Sequence, residues 1–85
     1  MKLKKLLTNI KAEKITGRDD IDIISVKSDS REISKDCMFV AYKGTDTDGH
    51  LFIPEAIENG ASAIVYQDEN FDTSKYSQGV TFIKV

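Results

Sequence analysis

The sequence predicts a small α/β domain with a mixed, partly parallel sheet and a helix on each face. Three observations carry this expectation. Short apolar stretches at 37–42, 61–66 and 80–85 have strand length and composition. A helix-patterned segment, 51–59, separates the first two, giving a βαβ unit over 37–66 that requires a parallel pair and a right-handed crossover. Finally, 85 residues make one small domain, which buries only ~60–65% of the surface of its unfolded chain.

The elements follow in order. Leu3, Leu6, Leu7 and Ile10 recur at helical spacing, predicting a short amphipathic helix over 2–9. Residues 12–15 read as a short strand, and Gly17-Arg18-Asp19-Asp20 is turn chemistry. Ile21, Ile23, Ile24 and Val26 predict a β-branched strand over 21–28, followed by a polar loop at 29–36. The continuously apolar run 37–42 suits a strand covered on both faces. After the polar loop 44–49, Ile53, Ala56 and Ile57 define one helix face. Pro54 is tolerated only near the first turn, and Gly60 is placed as a left-handed C-terminal cap. A strand at 61–66, a polar connection at 67–79 and a strand at 80–85 complete the chain.

Composition excludes several functions. Apolar residues make up 40% and charged residues 31%, as in ordinary globular proteins. The net charge is −2 and the basic residues form no stripe, so nucleic acid is not an expected partner. Lys2, Lys4 and Lys5 read as a solvated helix face. No apolar run approaches the ~20 residues of a membrane span, and the opening segment lacks the core of a signal peptide. Cys37 is the single cysteine, so no internal disulfide forms, and a reducing cytoplasm is the expected setting. Lying in an apolar run, it reads as a packing thiol rather than a nucleophile. One histidine and one cysteine do not make a typical zinc site.

There is no catalytic constellation: no phosphate loop of the G-x-x-x-x-G-K-[ST] type, no G-x-G-x-x-G, no H-E-x-x-H and no C-x-x-C. Asp46 and Asp48 read as turn residues, and His50 as a capping or anchoring residue rather than a general base. What remains is a binding surface. The loops 28–31 and 44–49 follow the C-terminal ends of two predicted strands, where open α/β sheets bind ligands. They carry Ser28, Ser30, Thr45, Thr47, Arg31 and glycines. Such groups suit a ribose, a phosphate or the edge of a base, although on composition alone plain solvated loops are the more common reading.

The ordered set Asp29-Ser30-Arg31, Phe39-Val40-Ala41, Gly44, Asp48-Gly49-His50, Phe52-Ile53, Ala56, Gly60-Ala61 and Ala63-Ile64-Val65 resembles the N-terminal, uridine-nucleotide-binding domain of Mur ligases, enzymes of peptidoglycan synthesis. Each piece is weak, but their conjunction at fixed spacing is strong. Within the family, the short leucine- and lysine-rich opening and the quick approach to Asp29 are most similar to the ligase that adds the third residue of the stem peptide. The D-alanyl-D-alanine-adding ligase is the runner-up, and a non-enzymatic α/β adaptor is the alternative from another class. Lys35-Asp36-Cys37 departs from the family's usual Pro-Gly-Asp.

The resemblance implies a domain, spanning residues 1–85, that holds the UDP end of UDP-N-acetylmuramoyl-L-alanyl-D-glutamate and contacts the enzyme's own central domain. It implies a substrate-binding set of Ser30, against a diphosphate oxygen, Ser28, presenting backbone, and Thr45, Asp46 and Thr47, approaching the uracil. Asp29, Arg31, Asp48 and His50 take mainly structural roles. ATP and magnesium would serve the parent enzyme through a central domain absent from these residues, with no cofactor and no catalytic residue expected here. The chain stops directly after an apolar strand, where the family continues toward that central domain; an excised domain and a natural terminus would look alike at that point.

Overall fold

The computed structural model describes residues 1–44, 48–76 and 79–85. Among these, five strands form one sheet in the order β1-β5-β4-β3-β2, with β1 at Lys14–Thr16, β2 at Ser25–Lys27, β3 at Cys37–Val40, β4 at Ala63–Tyr66 and β5 at Thr81–Lys84. Strands β2 to β5 are parallel and β1 pairs antiparallel with β5, so the sheet is mixed as expected. The chain opens with helix α1 (Leu3–Leu6), which tightens into a 3-10 turn at Leu7–Asn9; helix α2 (Ile53–Glu58) joins β3 to β4.

Strand alternation divides the core into two layers. Cys37, Phe39, Ile64, Tyr66 and Phe82 face Ile33, Ile53 and Ala56. Met38, Ala63, Val65 and Ile83 face Leu3, with Leu6, Leu7 and Ile21 packed alongside. Residues from all three parallel connections (Ile33, the α2 residues, and Phe71 with Tyr76) lie in the first layer, as a single handedness of crossover requires. The N-terminal helix covers the other face. Phe39 and Phe82 are fully enclosed, and each such side chain stabilises the fold by about 1.5–3 kcal/mol. Cys37 is buried among them, as its apolar setting predicts.

The strand expected over 21–28 is shorter. Residues 21–23 bond instead to the chain start, where the Leu3 amide donates to the Ile21 carbonyl (2.8 Å) and the Ile23 amide to the Met1 carbonyl (2.7 Å). Ile21 and Ile23 are thereby drawn into the α1 layer, and sheet pairing begins only at Ser25. The β-branched pattern marked an extended segment, but its backbone partner came from another part of the chain.

Helix α2 ends in a Schellman motif. The Gly60 amide donates to the Ile57 carbonyl and the Ala61 amide to the Ala56 carbonyl, each at 3.0 Å, with Gly60 at φ 114°. The Gly60 carbonyl then accepts from the Asp36 amide (3.2 Å), tying the helix end to the entry of β3. Asp36 itself sits at φ 67°, the left-handed region, at the position where the resembling family carries glycine. Aspartate is among the few non-glycine residues that enter this region readily, so the departure leaves the turn intact.

Candidate functional site

Two strand-end loops share one local design. After β2, Asp29 caps a 3-10 helix at Ser30–Glu32. Its Oδ1 accepts from the Arg31 amide (2.9 Å), and the Arg31 guanidinium closes back on the same carboxylate through Nε (3.1 Å) and Nη2 (2.8 Å). After β3, Asp48 caps a 3-10 helix at Gly49–Phe52. Its Oδ1 accepts from the His50 amide (3.0 Å) and from Nδ1 of the His50 ring (2.6 Å). In both loops an aspartate meets the backbone and the side chain of the residue two positions on. The carboxylate thereby satisfies the first free amides of the helix and fixes the loop's exit from the sheet.

Electrostatics follow from this geometry. The Arg31 side chain and amide hold the Asp29 carboxyl at about 2, below its ordinary 3.8. The His50 amide, and then its ring, hold Asp48 below the usual carboxylate range. Depressed carboxylates favour the fold above their ordinary values, and this contribution is lost as pH falls through the folded-state value. For Asp29 the loss runs from about pH 4 to about pH 2. Replacing Arg31 by alanine is expected to move the Asp29 titration, followed by carboxyl NMR, up toward 3.8. A titration still centred near 2 would show that the Arg31 side chain is not the cause. Arg31 is exposed and Asp29 only partly covered, so the effect on stability is small.

His50 is buried and bridges two loops. Its Nε2 accepts from the Gln67 amide (3.0 Å) and the Asp68 amide (3.1 Å), directly beyond β4. A nitrogen that receives two N–H groups carries its lone pair, so the ring proton sits on Nδ1 and is donated to Asp48. Both ring nitrogens are engaged by protein, which fits the anchoring role and leaves no free base. Gly49 beside it is forced by space, since a Cβ there would stand 2.9 Å from the Tyr42 backbone nitrogen and oxygen.

Of the residues implied to bind the nucleotide, Ser28 lies exposed at the end of β2. Ser30 is buried and gripped from helix α2 on both its polar groups. Its hydroxyl donates to Glu55 Oε2 (3.2 Å), and its carbonyl accepts from Asn59 Nδ2 (3.0 Å). Thr45, Asp46 and Thr47 lie outside the described residues. The fold therefore sets the Ser28–Ser30 turn and the capped Asp48–His50 turn at the C-terminal ends of adjacent parallel strands. Sequence reasoning missed Glu55 and Asn59. Their four-residue spacing puts them on one helix face, but nothing in the sequence shows that this face meets Ser30. Among the described residues no three histidine, cysteine, aspartate or glutamate side chains gather to hold a metal. No described helix is long and apolar enough to cross a membrane.

Comparison with known proteins places this geometry. Residues 22–82 match the family described as Mur ligase family, catalytic domain. The chain is 46% identical over its full length to a UDP-N-acetylmuramoyl-L-alanyl-D-glutamate–2,6-diaminopimelate ligase of Bacteroides fragilis. It is 44% identical, again over its full length, to the ligase of the same name from Clostridium tetani. It spans 17% of the length of each of these relatives. Among solved structures, MurF ligase from Thermotoga maritima in complex with ADP is 33% identical with a TM-score of 0.57, the match covering 72% of this chain and 13% of that one. MurF from Acinetobacter baumannii, at 21% identity, has the same fold with a TM-score of 0.74 over 99% of this chain and 17% of its own. The family match covers the sheet from the approach to β2 into the first half of β5, including both capped turns, and on that basis the chain belongs to the Mur ligase family.

Proposed function

We propose that this chain is the N-terminal substrate-holding domain of an ATP-dependent ligase that adds a diamino acid to UDP-N-acetylmuramoyl-L-alanyl-D-glutamate in the cytoplasm. One observation carries the reading. Two capped turns, the first carrying the hydroxyls of Ser28 and Ser30, stand side by side at the C-terminal edge of a parallel sheet, the usual place for a ligand in such folds. Relatives named for this reaction match the chain from end to end.

In this reading Ser30 meets the diphosphate, Ser28 presents backbone to the nucleotide and residues 45–47 approach the uracil. The domain works by position. Fixing the nucleotide end turns a bimolecular encounter into an oriented one at the distant carboxylate. The absence of a phosphate-loop motif from the sequence, and of a metal-holding cluster among the described residues, supports a place for ATP and magnesium outside this domain. Both are assigned to a central domain that this domain would contact, and these 85 residues alone are expected to have no ligase activity. The MurF structures keep a D-alanyl-D-alanine-adding ligase as the second reading. The full-length identities of 46% and 44% favour the first.

The test is a ¹⁵N NMR titration with UDP-N-acetylmuramoyl-L-alanyl-D-glutamate. Shifts are expected in 28–31 and 44–49 with a Kd near ~1 mM, roughly −4 kcal/mol, weakened by Ser30→Ala. No shifts at millimolar ligand, or shifts confined to 69–76, would overturn the site.

A further inference from the structure

We infer that Glu55 competes with the substrate diphosphate for the Ser30 proton, so that this helix residue sets how tightly the loop holds an anion. The inference rests on the proposed contact between Ser30 and the diphosphate and goes beyond it to a residue outside the loop.

A serine hydroxyl has one proton to donate and two lone pairs to accept with. A phosphate oxygen is an acceptor, so the hydroxyl must donate to it. In this structure that proton is directed to Glu55 Oε2 at 3.2 Å. The Ser30 carbonyl is held at the same time by Asn59, the residue that caps the C-terminus of α2, so Ser30 cannot leave the helix as a whole. Only the hydroxyl is free to turn. When an anion takes the proton, Glu55 loses a charge-assisted hydrogen bond and is left as a negative charge beside another. Glu55 is exposed, so water can solvate the released carboxylate and the exchange is feasible. Arg31 feels the charges of Asp29, Glu32 and Glu55, which places these four side chains in one electrostatic neighbourhood beside Ser30.

Glutamine at position 55 removes the carboxylate charge and offers the Ser30 oxygen an N–H donor, so the hydroxyl proton is held less strongly and can turn to a phosphate. Alanine simply frees the hydroxyl.

The experiment compares UDP and uridine binding by ¹⁵N NMR in the unmodified chain, Glu55→Gln, Glu55→Ala and Glu55→Gln/Ser30→Ala, with thermal melts confirming the fold of each. Glu55→Gln is expected to tighten UDP binding about threefold to tenfold and Glu55→Ala by a smaller factor. Uridine, which lacks phosphate, should bind all four proteins alike, and the gain should vanish in the double variant. If UDP shifts 28–31 in the unmodified chain but neither Glu55 variant binds more tightly, the competition is overturned while the site stands. An equal gain for uridine, or a gain that survives loss of Ser30, overturns it too. Should UDP leave 28–31 unshifted in every variant that melts like the unmodified chain, the site itself is wrong and the competition falls with it. If Glu55→Gln unfolds, Glu55→Ala decides by the same criteria.

Discussion

Replacing Gly60 by alanine is expected to destabilise the domain by about 3 kcal/mol, read as a lower urea midpoint at unchanged slope. Two effects add. The backbone at φ 114° is one that side-chain-bearing residues rarely adopt, and a Cβ would stand 2.8 Å from the Lys35 nitrogen and 2.9 Å from its Cα. Those neighbours are backbone and cannot rotate away. Moving them would disturb the Asp36–Gly60 hydrogen bond at the entry of β3. Gly79 provides the control. It also has positive φ, 76°, but nothing among the described residues lies within 4 Å of its missing Cβ. Gly79→Ala should cost only about 1 kcal/mol, the left-handed penalty partly offset by a less flexible unfolded chain. Equal costs at the two sites would disprove the packing argument. A chain of this length has roughly 4–13 kcal/mol of total stability, so the Gly60 substitution removes a large share.

The second large effect is expected at His50. Phenylalanine there keeps a ring in the buried space but has no lone pair for the Gln67 and Asp68 amides. Two donors lose their acceptor, and each such loss costs about 1–3 kcal/mol when buried. These amides are only partly buried, so a total of about 2–3 kcal/mol is expected for His50→Phe. His50→Ala should cost more because it also leaves a cavity. Hydrogen exchange gives the local readout, since the amides of Gln67 and Asp68 should exchange faster in both variants. Unchanged exchange at those two positions would show that the imidazole does not hold the β4 end. Because Asp48 retains the backbone amide of residue 50, the cap of the 3-10 helix should survive either substitution.

Much of the fold was legible because periodicity reports burial. The apolar runs around Phe39, Ile64 and Phe82 are strands, and the structure covers their two faces with different partners, as a continuously apolar run requires. Gly60 was legible as a helix stop for a local reason, the Schellman geometry. The overextended strand at 21–28 failed for the opposite reason. Ile21 and Ile23 are apolar and extended, but their hydrogen bonds go to Met1 and Leu3, a pairing that no local pattern encodes. The candidate site divides the same way. Asp29-Ser30-Arg31 and Asp48-Gly49-His50 carry their capping chemistry within three residues, so their structural roles could be read directly. The partners of Ser30 and His50 could not. Glu55 and Asn59 lie 25 and 29 residues from Ser30, and Gln67 and Asp68 lie 17 and 18 from His50.

By itself, then, the sequence determined the α/β class, the βαβ unit, the burial of Cys37 and the two polar turns at strand ends, because each depends on residue type and short-range spacing. Only the tertiary structure decided that helix α2 closes on the Ser30 hydroxyl and that His50 joins the ends of β3 and β4. Those contacts arise when parallel strands bring distant segments to one edge of the sheet. At that edge, a hydroxyl read as free to bind already has its proton directed to Glu55.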